Sequence, residues 1–209
     1  MAFTGIPEAA FDFYDDLEVD NSKTFWTAHK QLYDEAVRAP MAAIAEALED
    51  DFGPAKLFRP YRDVRFAADK TPYKTHQGLF VSAGTATGWY LEVSAAGVRS
   101  AAGCYHADSA ALKAIRAGID SPDGAELQRL LDDFAAQGWS TGGDELKTAP
   151  RGYAKDHPRI HLLRKRSLTV LQEYGFADFV QTPALLDRVR SDWEQGRPLI
   201  DWIVARLPG

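Results

Sequence analysis

The segment Phe58–His76, FRPYRDVRFAADKTPYKTH, concentrates positive charge in a chain of 209 residues whose net charge is −6. From Lys56 to His76 there are six basic residues and two acidic ones, a local charge of +4. A cluster whose sign opposes that of the whole chain needs either intramolecular carboxylates or an anionic ligand. Guanidinium groups bind carboxylate or phosphate through paired hydrogen bonds, and ammonium groups add movable positive charge. The segment therefore predicts a site for an anion.

The residues expected to contact this anion lie in that segment and in a second basic stretch. Two aspartates are included because surrounding arginines keep carboxylates ionised, so that each can orient a neighbouring cation. Tyr61 and Tyr73 are expected to add stacking or hydroxyl contacts. No catalytic residue is assigned. The candidate ligand-binding residues are Arg59, Arg62, Asp63, Arg65, Asp69, Lys70, Tyr73, Lys74, Lys147 and Arg151.

The second basic stretch, Lys147–Arg166, has seven basic residues and one acidic residue. Its first part is a Gly- and Pro-containing loop, a common location for functional contacts. Acidic residues are concentrated elsewhere, since Glu8–Asp51 has twelve acidic and three basic residues. Either the acidic N-terminal helices neutralise the basic stretches in a structural ion network, or the two stretches meet and form one anion site.

The alternating pattern of Phe58–Phe66 would, as a strand, place Arg62 in a row of apolar side chains. An unpaired guanidinium there would be strongly destabilising, so it must reach solvent, a carboxylate or a ligand. Pro60 opposes the strand interpretation because proline removes a backbone donor and is confined to edges and bulges.

Metal and thiol patterns are weaker. His157 and His161 have the spacing that places two imidazoles on one helix face. Pro158, however, puts His157 at the start of that helix, and a third ligand is not evident, so no metal site is predicted. Cys104 and His106 are two apart on a predicted strand, and a half-buried structural cysteine is the favoured interpretation. The sequence identifies no cofactor.

The composition is that of a globular protein, with 45% hydrophobic and 26% charged residues. One domain over residues 1–209 is expected from the length. The single cysteine and the lack of a signal peptide predict a cytoplasmic location, and no apolar run approaches the roughly 20 residues that span a bilayer. A pI near 5.4 argues against general affinity for nucleic acid. The oligomeric state is left open.

The residues before and after the basic segment predict the helices and strands that position it. Three helices are predicted before Gly53, the second of them ending at Pro40. Alternating residues from Leu79 to Tyr105 predict a meander of antiparallel strands, for which the basic segment is the lead-in. Two helices, the Gly138–Gly152 loop, a strand over Ser167–Tyr174 and terminal helices complete an α+β fold with helices at both ends.

Four strings spanning nearly the whole chain resemble the DUF2461 family, a group of bacterial and fungal proteins. They are FDFYDDLEVDNSKTFWTAHKQLYDEA, FRPYRDVRFAADKTPYKTH, WYLEVSAAGVRSAAGCYH and LKTAPRGYAKDHPRIHLLRKRS. In the first, Asn21, Phe25, Trp26, Lys30 and Tyr33 match. Trp26-Thr27 and Cys104-Tyr105 depart from the family's usual residues, and neither departure touches the basic segment. The resemblance implies a shared fold and site, and it carries no assigned reaction.

Binding of a phosphate- or carboxylate-bearing small molecule is therefore the leading hypothesis. A first alternative is an enzyme acting on a phosphorylated or nucleotide substrate, in which Asp63 or Asp69 would act as a base or share a divalent cation with phosphate. A second is a nucleic-acid or protein interaction module with both basic stretches on one exposed face. The remaining alternative is the structural ion network.

Overall fold

A computed structural model describes residues 3–65 and 68–207 of the chain. The N-terminal part is helical, as the periodicity predicts. Helix α1 begins after Pro7, and α2 is capped by Ser22, whose hydroxyl accepts the backbone N–H of Phe25 at 3.1 Å. The three helices are α1 (Glu8–Val19), α2 (Lys23–Leu32) and α3 (Ala39–Phe52).

Pro40 was predicted to end the second helix and to start the third; the start of the third is confirmed, and the break between the two helices is wrong. A π-helical segment, Tyr33–Arg38, joins α2 to α3 without a break, and Pro40 lies in the first turn of α3. The backbone N–H of Ala39 bonds to the carbonyl of Asp34, five residues earlier. This wider turn relieves the clash that a proline ring makes with the carbonyl four residues before it. Gly53 ends α3, as predicted, with a positive φ of 95°.

The α+β class with an antiparallel sheet between N- and C-terminal helices is confirmed. The sheet has six strands in the order β1-β2-β3-β4-β6-β5, in which β2, β3 and β4 form the predicted meander and the short β1 was not predicted. The strand expected over Ser167–Tyr174 is β6, and the three-residue β5 inside the predicted Gly138–Gly152 loop was missed. The strands are β1 (Ala55–Leu57), β2 (His76–Gly84), β3 (Thr87–Ser94), β4 (Gly97–Cys104), β5 (Ser140–Gly142) and β6 (Leu168–Gly175).

The strand interpretation of Phe58–Phe66 is wrong, and Phe66 itself lies outside the described residues. Strand β1 ends at Leu57, which pairs with Leu79. Beyond it, strand pairing among the described residues of this segment reduces to one bridge, Tyr61 with Tyr73, since Pro60 interrupts the ladder of donors. Arg62 consequently lies on no apolar row, and its side chain is 40% exposed.

The remaining helices follow the predicted order, with one correction. The terminal helices expected around Leu185 and Leu199 are a single helix, α7, with Pro198 in its interior. Both leucines and Trp193 are fully buried, so packing on both sides of the proline offsets the lost backbone hydrogen bond. These helices are α4 (Ser109–Asp120), α5 (Gly124–Ala136), α6 (Ile160–Leu163) and α7 (Ala184–Val204). Among the described helices, none combines the length and the apolar character needed to cross a membrane.

The chain divides into two compact units, called unit one and unit two below. Unit one contains the three N-terminal helices and an aromatic core in which the Phe13 ring lies 5.2 Å from Tyr14 and 5.8 Å from Trp26. Whether the chain is a single domain, as predicted, stays a prediction. Unit one comprises Met1–Val81, Tyr90–Ser100 and Glu173–Ser191; unit two comprises Ser82–Trp89, Ala101–Gln172 and Asp192–Gly209.

Unit two is held by close backbone approach as well as by apolar packing. The indole N–H of Trp89 donates to the carbonyl of Trp193 at 2.8 Å. At Gly103, in β4, a Cβ atom would lie 2.1 Å from the carbonyl oxygen of Leu168 in β6. Gly103 also has φ +133°, so both the conformation and the strand spacing require glycine there.

We expect Gly103→Ala to lower the free energy of unfolding by roughly 3 kcal/mol, because it adds overpacking against a backbone atom to the strain of a positive φ. The matched control is Gly138→Ala, since Gly138 has φ +83° but no atom lies within 4 Å of the position that a Cβ would take there. The control should lose only about 1 kcal/mol. Urea unfolding of both variants measures the difference, and equal losses would contradict the close approach of β4 and β6.

Candidate functional site

The basic segment of unit one borders an open cleft with a volume of about 390 Å³. One wall comes from α2 and the π-helical segment, and the other comes from the chain that leaves β1. The lining residues are Trp26, Lys30, Tyr33, Asp34, Arg38, Leu57, Phe58, Arg59, Pro60, Tyr61 and Gln77.

The helical wall contains residues that the charge pattern alone did not select. Trp26, Lys30, Asp34 and Arg38 follow one another at intervals of four, so they share a helix face. This spacing is a signal that could have predicted the wall. The structure thus brings the N-terminal string together with Arg59 and Tyr61 of the basic segment.

Trp26 is a buried residue of this wall, with 4% of its surface exposed. Its ring stacks on Tyr73, with centroids 4.3 Å apart and planes inclined by 8°, and lies 4.8 Å from Tyr33. Its indole N–H is buried and has no hydrogen-bond acceptor among the residues that the structure describes. Buried donors without acceptors are rare and need an explanation.

A hydrogen-bond chain fixes the base of the cleft. Tyr33 donates its hydroxyl to Oε1 of Gln77 at 2.5 Å. The Gln77 amide donates in turn to the carbonyls of Phe58, at 2.9 Å, and Gly78, at 2.8 Å. Burial raises the pKa of Tyr33 to about 12, so the phenol keeps its proton and remains the donor at neutral pH. The position of Phe58, and with it the start of the basic segment, is therefore tied to the π-helical segment.

The cleft has more positive than negative charge. Lys30, Arg38 and Arg59 line it, and Asp34 is the carboxylate among the lining residues. Asp34 forms an ion pair with Lys30. Within the described chain, no carboxylate lies within 4.0 Å of the guanidinium groups of Arg38 or Arg59. Arg38 and Arg59, both exposed, thus have no ion-pair partner in the described chain, and Asp63 attracts Arg59 only from beyond ion-pair distance.

Two other arginines of the segment are engaged by its own aspartates. Arg62 pairs with Asp69 and donates to the Thr71 hydroxyl at 2.5 Å. Arg65 donates to both carboxylate oxygens of Asp63, at 2.9 and 2.6 Å. The alternative in which the acidic N-terminal helices supply the partners of these two arginines is wrong, since short-range pairing within an exposed loop provides them.

The pKa values of both aspartates reflect this pairing. Hydrogen bonds from the side chain and backbone of Arg65 lower the pKa of Asp63. Hydrogen bonds from Thr71, and then the Arg62 side chain, lower the pKa of Asp69. Both carboxylates are therefore ionised at neutral pH and orient cations, which is the geometry predicted for them.

The lysines of the segment are placed differently. Lys70 donates to the carbonyl of Val64 at 2.9 Å, within the exposed loop. Lys74 lies over the Phe58 ring, 5.1 Å from its centroid. Burial, followed by repulsion from Arg59, Arg62 and Lys56, lowers the pKa of Lys74. This shift shows that the field of the segment stays positive in spite of its two aspartates.

Asn21, just before α2, anchors the far end of the segment. Its side-chain oxygen accepts the backbone N–H of Tyr73 at 3.0 Å, and its amide donates to the Tyr73 carbonyl at 3.1 Å. This double contact holds the buried Tyr73 ring against Trp26. Tyr61, bridged to Tyr73 along the backbone, remains 48% exposed at the cleft.

The second basic stretch belongs to unit two. Lys147 is exposed, and Arg151 lines an open cleft of about 500 Å³ together with Lys113, Arg116 and Tyr153. Arg116 donates to the carbonyl of Leu163 at 2.9 Å, at the end of α6. The expectation that the two stretches form one site stays a prediction.

A polar cluster on the sheet of unit one was also missed by sequence reasoning. Alternation along β3 places Glu92 on the face opposite the buried Leu91 and Val93, yet Glu92 is itself only 5% exposed. It accepts hydrogen bonds from the Tyr90 hydroxyl at 2.5 Å and from Arg99 at 3.0 Å. Nε2 of His76 lies 3.8 Å from Oε2 of Glu92. A strand pattern cannot distinguish a buried, paired carboxylate from an exposed one, because both alternate with apolar residues.

His157, one of the two histidines at helical spacing, bonds to Asp120 at 3.0 Å and precedes α6. In the described part of the chain, no three His, Cys, Asp or Glu side chains are grouped to hold a metal ion. Cys104 is a free thiol, and it is fully buried.

We expect Asn21→Ala to lower the free energy of unfolding by about 2 kcal/mol, since two backbone groups of Tyr73 lose their partner. Asn21→Asp is the matched variant: it keeps the acceptor for the Tyr73 N–H and loses the donor, so its loss should be smaller at neutral pH. Urea unfolding gives both values. An Asn21→Ala variant as stable as the wild type would show that this contact does not anchor the segment.

The stability of the folded chain should depend on pH through His76. In the folded state the pKa of His76 is lowered. Burial and the cations Lys74, Arg99 and Arg62 lower this pKa by more than the neighbouring Glu92 raises it. As the pH falls below about 6.5, the unfolded chain takes up this proton first, so the free energy of unfolding decreases.

The measurement is the free energy of unfolding in urea at several pH values between about 7.5 and 5.5, in the wild type and in His76→Gln. The variant should lose less stability on acidification. His106→Gln, which changes an exposed histidine, serves as the control and should follow the wild type. Parallel curves for all three proteins would contradict the role of His76.

Comparison with known proteins supports the family resemblance and adds no activity. No curated protein matches the chain. The family model described as "Conserved hypothetical protein (DUF2461)" matches residues 9–202, a span that includes both walls of the cleft. The chain therefore belongs to the DUF2461 family.

Proposed function

We propose that the chain binds an anionic small molecule, bearing a phosphate or a carboxylate, in the cleft of unit one. The observation that carries this proposal is the pair of guanidinium groups, Arg38 and Arg59, that line one cleft without a described carboxylate partner. An anion between them would compensate two charges at once and would accept charge-assisted hydrogen bonds.

The surrounding charges favour the same occupant. Lys30 also lines the cleft, but Asp34 compensates its charge, so the excess positive charge of the lining comes from Arg38 and Arg59. The lowered pKa of Lys74 reports the positive field that Arg59, Arg62 and Lys56 create beside the cleft. In a chain of net charge −6, such a local field attracts anions and repels other cations.

The loop residues have a supporting role in this proposal. Arg62 and Arg65 already have carboxylate partners, so their contribution is long-range attraction more than direct contact. Arg59 is therefore the residue of the basic segment that contacts the anion. The remaining predicted residues of the segment, Lys70 and Lys74, strengthen the field.

The size of the cleft suits a small molecule. Its volume of about 390 Å³ falls in the range of roughly 300–1,000 Å³ that is typical of small-molecule sites. A reducing, cytoplasmic location is part of the proposal, since the chain has one cysteine and it is unpaired and buried. Small anionic metabolites are abundant ligands in that setting.

Replacing Arg59 tests the proposal directly. We expect Arg59→Met to weaken binding of inorganic phosphate or acetate about tenfold, because one charge-assisted hydrogen bond is lost. Amide and indole chemical shifts in NMR titrations report the affinity, and the affinity of the wild type should fall as ionic strength rises. Arg129→Met is the control, since Arg129 is exposed on α5 and pairs with Asp133.

Arg62→Met tests whether the anion binds in the cleft or at the loop that contains Arg62. Because Asp69 already compensates Arg62, this variant should weaken binding about twofold. If Arg62→Met abolished binding and Arg59→Met left it intact, the anion would occupy the loop instead. If neither phosphate nor acetate perturbed the cleft resonances of the wild type, the proposed function would be wrong.

A further inference from the structure

We infer that the ligand of this cleft carries more than an anionic group: a planar ring that packs on Tyr61, and an acceptor atom for the indole N–H of Trp26. The inference rests on the proposed function and specifies its ligand class. It depends on two residues, neither of them charged, that the electrostatic argument does not use.

Trp26 can contribute to a ligand only through its N–H. The faces of its ring are occupied by the protein, since Tyr73 stacks at 4.3 Å and Tyr33 lies at 4.8 Å. The residue is only 4% exposed, yet it lines the cleft and its N–H has no acceptor in the described chain. An indole N–H is a donor only, so the group that completes it must be an acceptor oxygen or nitrogen.

Tyr61, unlike Trp26, has an exposed side chain at the cleft. It lines the same cleft and is 48% exposed. Its backbone is bridged to Tyr73, and its ring lies 5.4 Å from Tyr73 and 6.0 Å from Trp26. The exposed side chain is therefore held on a rigid support. A flat aromatic surface of this kind binds planar rings by offset stacking.

The spacing along the chain places the ring and charge contacts together. Arg59 and Tyr61 are separated by Pro60, whose fixed φ limits the backbone between them. Arg59 binds the anionic group from the segment side, and Arg38 binds it from the helical side. A ligand anchored there extends its ring along Tyr61.

The volume is consistent with such a ligand. A water molecule takes about 30 Å³ of liquid volume, so a cleft of 390 Å³ has room for far more than a bare anion. A bare anion would leave Tyr61 in contact with water, and it offers no ring to cover it. A ring-bearing phosphate or carboxylate supplies both the anionic group and the ring.

Two matched pairs of probes isolate the ring: phenyl phosphate against inorganic phosphate, and benzoate against acetate. Isothermal titration calorimetry at constant ionic strength should give about tenfold tighter binding for the ring-bearing member of the preferred pair. The pair that binds more tightly identifies phosphate or carboxylate as the anionic group. Equal affinity within both pairs would overturn the ring contact and leave the proposed function standing.

Tyr61→Leu should reduce the advantage of the ring, measured as the ratio of the two affinities within each pair of probes, to less than about threefold. Tyr105→Leu is the control, because Tyr105 is also an exposed tyrosine and does not line the cleft. A Tyr61→Leu variant that keeps the full advantage of the ring would overturn the assignment of Tyr61.

The acceptor is tested in the wild-type protein. The chain has five tryptophans, and the indole N–H signal missing from the spectrum of Trp26→Phe identifies Trp26. On saturation with phenyl phosphate or benzoate, the Trp26 indole proton should move downfield and exchange more slowly with solvent. A bound probe that leaves this signal unmoved would overturn the acceptor contact. If none of the four probes binds, the proposed function and this inference both fail.

Discussion

The stack of Trp26 on Tyr73 is the contact on which the candidate site depends. It joins α2 to the far end of the basic segment, with ring centroids 4.3 Å apart. Asn21 holds Tyr73 in place through both of its backbone polar groups, and the bridge to Tyr73 then fixes Tyr61. A segment too irregular to form a strand is thereby positioned by one aromatic contact and one side-chain amide. The backbone of the basic segment is fixed at Tyr73, away from Arg59. The Arg59 side chain can therefore line the cleft.

Much of this arrangement was predictable, and the parts that were not have physical reasons. Helical and alternating periods predicted the order of the elements, since burial on one face imposes those periods. The charge excess predicted the segment and its two orienting aspartates, because like charges so close in sequence require local counterions. Arg38 escaped prediction, as a lone cation in an acidic region has no distinguishing pattern. Its role emerges only from the proximity of α2 to the chain beyond β1, which is a tertiary contact.

Glu92 shows a second limit of sequence reasoning. Its position in β3 satisfies the pattern of an exposed polar residue, whereas Tyr90 and Arg99 cover it and supply its hydrogen bonds. The cost of burying a carboxylate is offset only when such partners are present, and cross-strand partners are not readable from one strand. The same reasoning explains the corrected position of Arg62: its carboxylate is seven residues away, on a loop whose closure the alternating pattern did not reveal.

The π-helical segment Tyr33–Arg38 gives the N-terminal helices a freedom that a regular helix lacks. An α-helix turns by about 100° per residue, so one extra residue in a turn rotates everything after it relative to everything before. In α3, one face buries Met41, Ile44 and Leu48. The direction of this face is consequently independent of the direction of the α2 face that lines the cleft. Within one continuous rod, the half that lines the cleft and the half that packs on the core therefore follow separate helical phases.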